Sequence, residues 1–333
     1  MRFVFILPDL VTGTKRKILE QVQRRPRLSN VPLVRRVLEH PLLYTHVAWG
    51  GTLNLMRHAE VARRLGADVA LATPTGRDTY GDTWGLYDLP YIKLADRRPD
   101  DVVIVPDYAS DLADAMQGPV IVYLQVPIHL YANFDYMADK VTLWTDSPFM
   151  LDKCQKVFPG KDIPIVPNVV DCEMFPFVEQ RKRSEGVIFA FPRKGPDYIA
   201  ETRRLYEAAG GKYWHFELID GIPVKELARE YTRPQAFLAS ADIEGCALPP
   251  QESMAAGVIV IGKNARGANF AMEHGRTALI ADTPEEAAAC LREAEDAALR
   301  ESIAANAHEA ISRYFPDRDP SEFWRANIDK YAG

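Results

Sequence analysis

Two carboxylates, Glu244 and Glu252, stand eight positions apart between Ser240 and Gly257. Ala236-Phe237-Leu238-Ala239 before them and Val258-Ile259-Val260-Ile261 after them are short apolar runs of strand type. The unit therefore reads as strand, loop, short helix, strand, with Glu244 on the loop and Glu252 in the first helical turn. Pro249 and Pro250 suit the helix start, where a missing N–H costs nothing, and Gly257 suits its left-handed end. Both carboxylates can face one crevice at the carboxyl end of a sheet, where open α/β sheets bind ligands. The free amides and dipole of the helix start favour an anionic group there. Two carboxylates beside an anion site suit a ligand with hydroxyls at both ends and a diphosphate between, such as a nucleotide-sugar. The plainer alternative is that Glu244 ends a strand and Glu252 caps a helix, and spacing alone does not separate the two.

A pair of cations stands upstream. The strand Gly186–Phe191 runs into Pro192-Arg193-Lys194-Gly195-Pro196, just before a helix. Arg193 can bind a diphosphate in a fork and Lys194 as a point charge, although surface charges beside a turn would look the same. Gly50-Gly51-Thr52 opens another helix, and glycines there let a ligand approach the backbone amides, though a tight turn also needs glycine. Gln125 follows the strand Pro119–Leu124; its amide can donate and accept but not titrate near neutrality, and it also reads as a polar strand end. Asp317-Arg318-Asp319 has the D-x-D spacing of metal-dependent transferases, but its place in the tail reads as a turn and helix cap. No metal site is expected.

The elements that must position these groups alternate along the chain. Arg2–Leu7, Val69–Ala72, Asp101–Pro106 and Pro119–Leu124 read as strands, and Val141–Ser147 as a strand running into a helix capped by Ser147 or Asp146, with helices between them that include Gly50–Leu65 and Ser110–Met116. Ile163–Asp171, rich in proline, closes a first half. The second half opens at Gly186 and continues through a strand at Tyr213–Ile219, a helix at Val224–Tyr231, and a helical stretch from Pro284 to Ala310. His215 reads as a packing or edge residue. The alternation predicts a doubly wound α/β architecture in each half.

A chain of 333 residues is long enough for two domains, and 47% apolar composition predicts packed cores. The formal charge of -6 argues against a general nucleic-acid binder. Cys154, Cys172, Cys246 and Cys290 form no C-x-x-C pair, which fits a reducing cytoplasm. Met1–Leu7 is too short for a signal-peptide core, and no run approaches a membrane span. One stretch is strongly basic: Lys15, Arg16, Lys17, Arg24, Arg25, Arg27, Arg35 and Arg36. It reads as a solvated helical hairpin or as a surface for anionic lipid or an anionic acceptor, each basic side chain adding roughly 1 kcal/mol near such a membrane.

The wording Glu-Gly-x-x-Leu-Pro-x-x-Glu-x-Met-Ala-x-Gly from Glu244 resembles the E-x7-E signature of retaining GT-B glycosyltransferases, family four. The resemblance extends to the glycine loop at Gly50 and Gly51, to Pro167-Asn168-Val169-Val170-Asp171 as a link between two domains, and to the last helix around Phe323 and Trp324. It implies two Rossmann-like doubly wound domains facing a cleft: residues 1–172 on the acceptor side, 173–312 binding the nucleotide-sugar, and 313–333 as a helix crossing back. Glu244 would touch the donor sugar and Glu252 hold the ribose, while Arg193 and Lys194 meet the diphosphate. Leu248, Gly267, Asn269, Gly50, Gly51 and Gln125 would line the donor site, Gln125 as in rhamnosyltransferase-like members. Cys246-Ala247 replaces the family's usual Phe-Gly, and the basic pair is closer together than usual.

The implied activity is retaining transfer of a hexosyl or deoxyhexosyl group from a nucleotide-diphosphate sugar to a glycan or lipid-linked acceptor. That sugar is a co-substrate, and no cofactor or metal is expected. The implied setting is cytoplasmic, with peripheral contact at the inner membrane face through residues 15–36 as an option. Two rivals stay open: a GT-B-like sugar-nucleotide epimerase or phosphorylase, and a catalytically inactive nucleotide-sugar binding protein. The absence of G-x-G-x-x-G counts against an NAD enzyme.

Overall fold

Apolar runs with no alternation form the central strands of two parallel sheets, because such strands are covered on both faces. A computed structural model describes residues 1–8, 31–34, 50–74, 86–113, 116–125, 134–313 and 320–332. The eight basic residues of the 15–36 stretch lie outside the described residues, as do Asp317, Arg318 and Asp319.

In the first sheet, β1 (Arg2–Ile6) is buried along its whole length and pairs in parallel with β2 (Asp68–Thr73) and β4 (Val102–Pro106). β3 (Tyr91–Lys93) lies outside β2, and β5 (Val120–Leu124) and β6 (Val141–Thr145) follow β4, giving the order β3-β2-β1-β4-β5-β6. Helix α1 (Gly50–Arg64) begins at the paired glycines and packs on β1 and β2. The helix expected over Ser110–Met116 is instead a 3-10 segment, Asp107–Ala113, kinked at Ala109. At the base of the sheet, Arg2 donates to Asp101 through Nε at 3.0 Å and Nη2 at 2.7 Å, and the Arg98 backbone N–H adds a 2.7 Å bond to the same carboxylate.

Helix α2 (Pro148–Val157) follows β6, with Ser147 as its cap: its hydroxyl accepts from the Met150 N–H at 3.2 Å. The second sheet is built from β7 (Val187–Ala190), β8 (His215–Leu218), β9 (Ala236–Ala239), β10 (Ile259–Gly262) and β11 (Leu279–Ile280), in the order β11-β10-β9-β7-β8. Its helices are α3 (Pro196–Ala208), α4 (Val224–Glu230), α5 (Leu248–Ala256), α6 (Pro284–Glu293) and α7 (Ala297–Ser312). Tyr198, Ile199, Leu238, Ile261, Leu291 and Ile303 belong to one buried core between sheet and helices.

The long helical stretch expected from Pro284 is two helices. Thr283 and Glu286 form a capping box at the first, and the Asp296 carboxylate accepts from the Ala298 and Leu299 amides to start the second. A final helix, α8 (Pro320–Ala332), buries Trp324 with its ring centroid 6.0 Å from that of Trp144.

The chain divides into two compact units. One comprises Met1–Val122, Leu130–Val141 and Asn327–Gly333, the other Tyr123–His129 and Thr142–Ala326. No helix among the described residues is long and apolar enough to cross a membrane.

The Arg2–Asp101 pair is an exacting electrostatic feature of the first unit, since the Asp101 side chain is fully buried and that of Arg2 is 9% exposed. Removing one partner of such a pair strands the other charge, so Asp101→Ala should cost roughly 3–5 kcal/mol, read from urea denaturation. A loss below about 1 kcal/mol would mean that Arg2 finds solvent and the pair does not hold the base of the sheet.

Candidate active site

β7 and β9 are adjacent parallel strands, so the loops leaving their carboxyl ends lie side by side. The first carries Arg193 and Lys194 and the second Glu244. The Lys194 ammonium forms an ion pair with Glu244 Oε1, with side-chain exposures of 47% and 18%. Ser240 ties the same loops together by donating from Oγ to the Lys194 carbonyl. Gly195 has φ +94°, and a Cβ there would stand 2.4 Å from the Ser240 carbonyl oxygen, so only glycine allows this approach. Of the two adjacent cations, Lys194 faces the carboxylate. Arg193 is exposed and makes no hydrogen bond or ion pair among the described residues.

Helix α5 begins at Leu248, with Ala247 as an N-cap that supplies no side-chain bond. Pro249 and Pro250 are therefore the second and third helical residues, and neither has an amide hydrogen. This corrects the expectation of a start rich in free amides: the Ala247 N–H is already given to Asn269 Oδ1 at 3.2 Å, and of the first three helical residues only Leu248 has an N–H. The dipole of the helix remains. Its far end is as expected, with Gly257 at φ +83°.

Glu252 differs sharply from Glu244. It is only 2% exposed and lies near the fully buried Tyr231, whose phenol is pushed well above its usual range by burial and by the charge of Glu252. The Tyr231 hydroxyl also approaches the Pro249 carbonyl at 3.4 Å. One carboxylate is accessible beside a cation; the other is set into the protein.

A third loop leaves β10. Gly262, at φ +116°, passes so close to β9 that a Cβ would be 2.3 Å from the Ala239 carbonyl oxygen. Ala265, Arg266 and Gly267 follow with φ of 53°, 58° and 89°. Left-handed residues other than glycine cost about 1–3 kcal/mol each, so two in succession need compensation. Asn264 supplies part of it: its side-chain and main-chain oxygens accept from the Gly267 N–H at 3.0 and 3.2 Å, and its carbonyl also accepts from the Asn269 N–H at 3.0 Å. Asp242 ties this loop to that of Glu244 by pairing with Arg266 at 2.7 Å and Lys263 at 3.3 Å. Arg266 and then Lys263 hold the Asp242 carboxyl below the usual carboxylate range. The sequence signals neither pairing, because the partners are more than twenty residues away.

Gln125, 7% exposed, backs the Glu244 loop from its main chain: a Cβ on Gly245 would lie 2.0 Å from the Gln125 carbonyl oxygen and 2.8 Å from Asp146 Oδ2. Its own side-chain oxygen is buried without a hydrogen-bond partner among the described residues. Glu244, Lys194, Arg193, Glu252, Leu248, Gly267, Asn269 and Gln125 thus all belong to one unit, with Glu244 and Lys194 in direct contact. Gly50 and Gly51 belong to the other unit, at the start of α1, where Thr52 and Tyr108 share a hydroxyl–hydroxyl bond of 3.1 Å.

The arrangement offers a neutralised but exchangeable cation–carboxylate pair and a strained loop at strand ends, with a buried carboxylate in the helix that follows. Residues 205–310 match the family model for glycosyl transferases group 1. That segment holds Glu244, Glu252, Gly267 and Asn269, while Arg193 and Lys194 precede it. No curated protein sequence matches the chain. A glycosyltransferase structure from Rickettsia africae ESF-5 is similar at a TM-score of 0.65 and 13% identity, over 99% of this chain and 97% of that one. Sucrose-phosphate synthase from Thermosynechococcus elongatus is similar at a TM-score of 0.62 and 12% identity, over 100% and 99%. S. aureus TarM has a TM-score of 0.56 and 12% identity over 71% of this chain, which spans 55% of the TarM chain. The chain has the fold of the GT-B glycosyltransferases, and within it residues 205–310 are similar to the glycosyl transferases group 1 model.

Proposed function

We propose that the protein transfers a sugar from a nucleotide-diphosphate sugar to a hydroxyl of a glycan or lipid-linked acceptor, with retention and without a metal. The observation that carries this reading is the Lys194–Glu244 pair at the ends of adjacent strands, with Glu252 in the helix that follows. Ionised Glu244 can only accept hydrogen bonds, and donor-sugar hydroxyls supply them. Lys194 is nearly half exposed, so its pairing is worth about 1 kcal/mol or less and gives way readily to a diphosphate. Arg193, without a partner among the described residues, adds a forked contact to the same phosphates. Glu252 accepts from the ribose hydroxyls at the floor of the site, where burial strengthens each bond.

In the transfer step the bond between the anomeric carbon and the diphosphate oxygen breaks. The acceptor oxygen bonds that carbon from the same face, and its proton passes to the departing diphosphate. Charge grows on the leaving phosphate, where Lys194, Arg193 and the Leu248 N–H counter it. Two proteins of the same fold have been solved with matching ligands: Anabaena HepE with UDP and glucose, and pneumococcal O-GlcNAc transferase GtfA with UDP and GlcNAc.

Two outcomes follow. Glu244→Gln should lower kcat by roughly 10- to 100-fold, the worth of a hydrogen bond to a charged group, with little change in nucleoside diphosphate affinity. An unimpaired rate would remove Glu244 from the donor sugar. Lys194→Ala should weaken nucleoside diphosphate binding by roughly tenfold at low salt and by less at high salt, as titration calorimetry would show. Equal affinity for wild type and variant at every salt concentration would place the diphosphate elsewhere.

A further inference from the structure

Between β9 and α5, the loop that carries Glu244 has no helix or strand of its own. Two side chains from distant parts of the sequence hold the peptide groups that follow Glu244. Ser147 Oγ donates to the Gly245 carbonyl at 2.7 Å. Asn168 Nδ2 donates to the Cys246 carbonyl at 2.8 Å and to Gln251 Oε1 at 3.2 Å. Gln251, inside α5, closes the network by donating from Nε2 to Cys246 Sγ at 2.6 Å. Ser147, Asn168 and Gln251 are each at most 3% exposed. Gly245 cannot retreat, since the Gln125 carbonyl and Asp146 already occupy the space beside it.

Buried amide and hydroxyl groups need partners wherever they lie, so a satisfied asparagine alone would say little. Here, however, the Ser147 contact and one Asn168 contact fall on two of the three residues that connect Glu244 to α5, and the other Asn168 contact falls on Gln251 within α5. Among the described residues the Glu244 carboxylate is hydrogen-bonded by the Lys194 ammonium, at the end of a flexible side chain that the proposed donor would draw away. Once Lys194 turns to the diphosphate, this clamp is what keeps the carboxylate aimed.

We propose that Asn168 and Ser147 are positioning residues that fix Glu244 against the donor sugar by holding the carbonyls of Gly245 and Cys246. The inference rests on the proposed role of Glu244. Ser147 also caps α2, so its loss would disturb that helix as well, and Asn168 is the cleaner probe.

The test is a double-mutant cycle on the full chain: wild type, Asn168→Ala, Glu244→Gln and the double variant. Turnover is followed as UDP release from UDP-glucose, or with the GDP-, dTDP- or ADP-sugar that the wild type uses fastest. Affinity for the matching nucleoside diphosphate is measured by calorimetry and folding by thermal melting. Asn168→Ala should lower kcat by roughly 10- to 100-fold, as small misplacements of reacting groups do, and leave the nucleoside diphosphate Kd within about twofold. In the Glu244→Gln background it should lower kcat no further. If Asn168→Ala does not fold, Asn168→Ser, which keeps a short donor, replaces it in the same cycle. A normal kcat in the Asn168 variant beside a crippled Glu244→Gln overturns the inference and leaves the proposed function standing. The same loss in both backgrounds, or a loss of affinity that matches the loss of kcat, also overturns it. A normal rate in Glu244→Gln overturns the proposed function, and the positioning role with it.

Discussion

The site depends on how closely the loops at the carboxyl ends of β7, β9 and β10 can approach each other. Two glycines permit it: Gly195 against the Ser240 carbonyl and Gly262 against the Ala239 carbonyl, each in a backbone conformation that other residues resist. The Lys194–Glu244 ion pair is a consequence of that approach. Being partly exposed, the pair contributes about 1 kcal/mol at most and could not hold the loops by itself. The order matters for function, because a contact that stabilises little can be exchanged for a ligand while the loops stay in place.

Helix α5 is held mainly from its far end. Arg183 makes five hydrogen bonds from its guanidinium to the carbonyls of Val178, Tyr231, Pro234 and Ala256, the last residue of the helix. Its burial, with no acidic partner among the described residues, lowers the guanidinium pKa to about 10. Gln180 adds a bond to the Gly257 carbonyl at 2.7 Å, and His308 Nδ1 lies 2.8 Å from the Ala255 carbonyl oxygen. A cation at the carboxyl end suits the helix dipole, and the anchoring leaves the proline-bearing start facing the loops. Glu252 sits between these two ends, and its depth is set by them.

Much of this was legible in the sequence. Apolar runs marked β1, β4, β5, β7, β9 and β10, because a strand covered on both faces needs no alternation. β3 and β11 were not legible, being three and two residues long, too short to carry a pattern. The break between α6 and α7 hides in a stretch of good helix formers, where Asp296 acts as a cap. Within the site, prolines and glycines marked Glu244 on the loop and Glu252 on the helix, but Glu252 is the fifth helical residue and not in the first turn as expected, because the helix already starts at Leu248. Their different burial could not, since it depends on Tyr231 and the packing behind it. Asp242, Ser147 and Asn168 show the same limit: each acts on a partner at least twenty residues away, and no local signal encodes such a pairing. The thin supply of amides at the start of α5, by contrast, was already written in Pro249 and Pro250.

In the proposed function these strand ends hold a nucleoside diphosphate without help from a metal. Thermal stabilisation across UDP, GDP, dTDP, ADP and CMP, each with and without magnesium, tests it most directly. The expected result is a clear shift with one nucleoside diphosphate, unchanged by magnesium and reduced in Lys194→Ala. No shift with any of the five, or one that requires the metal, would contradict the account.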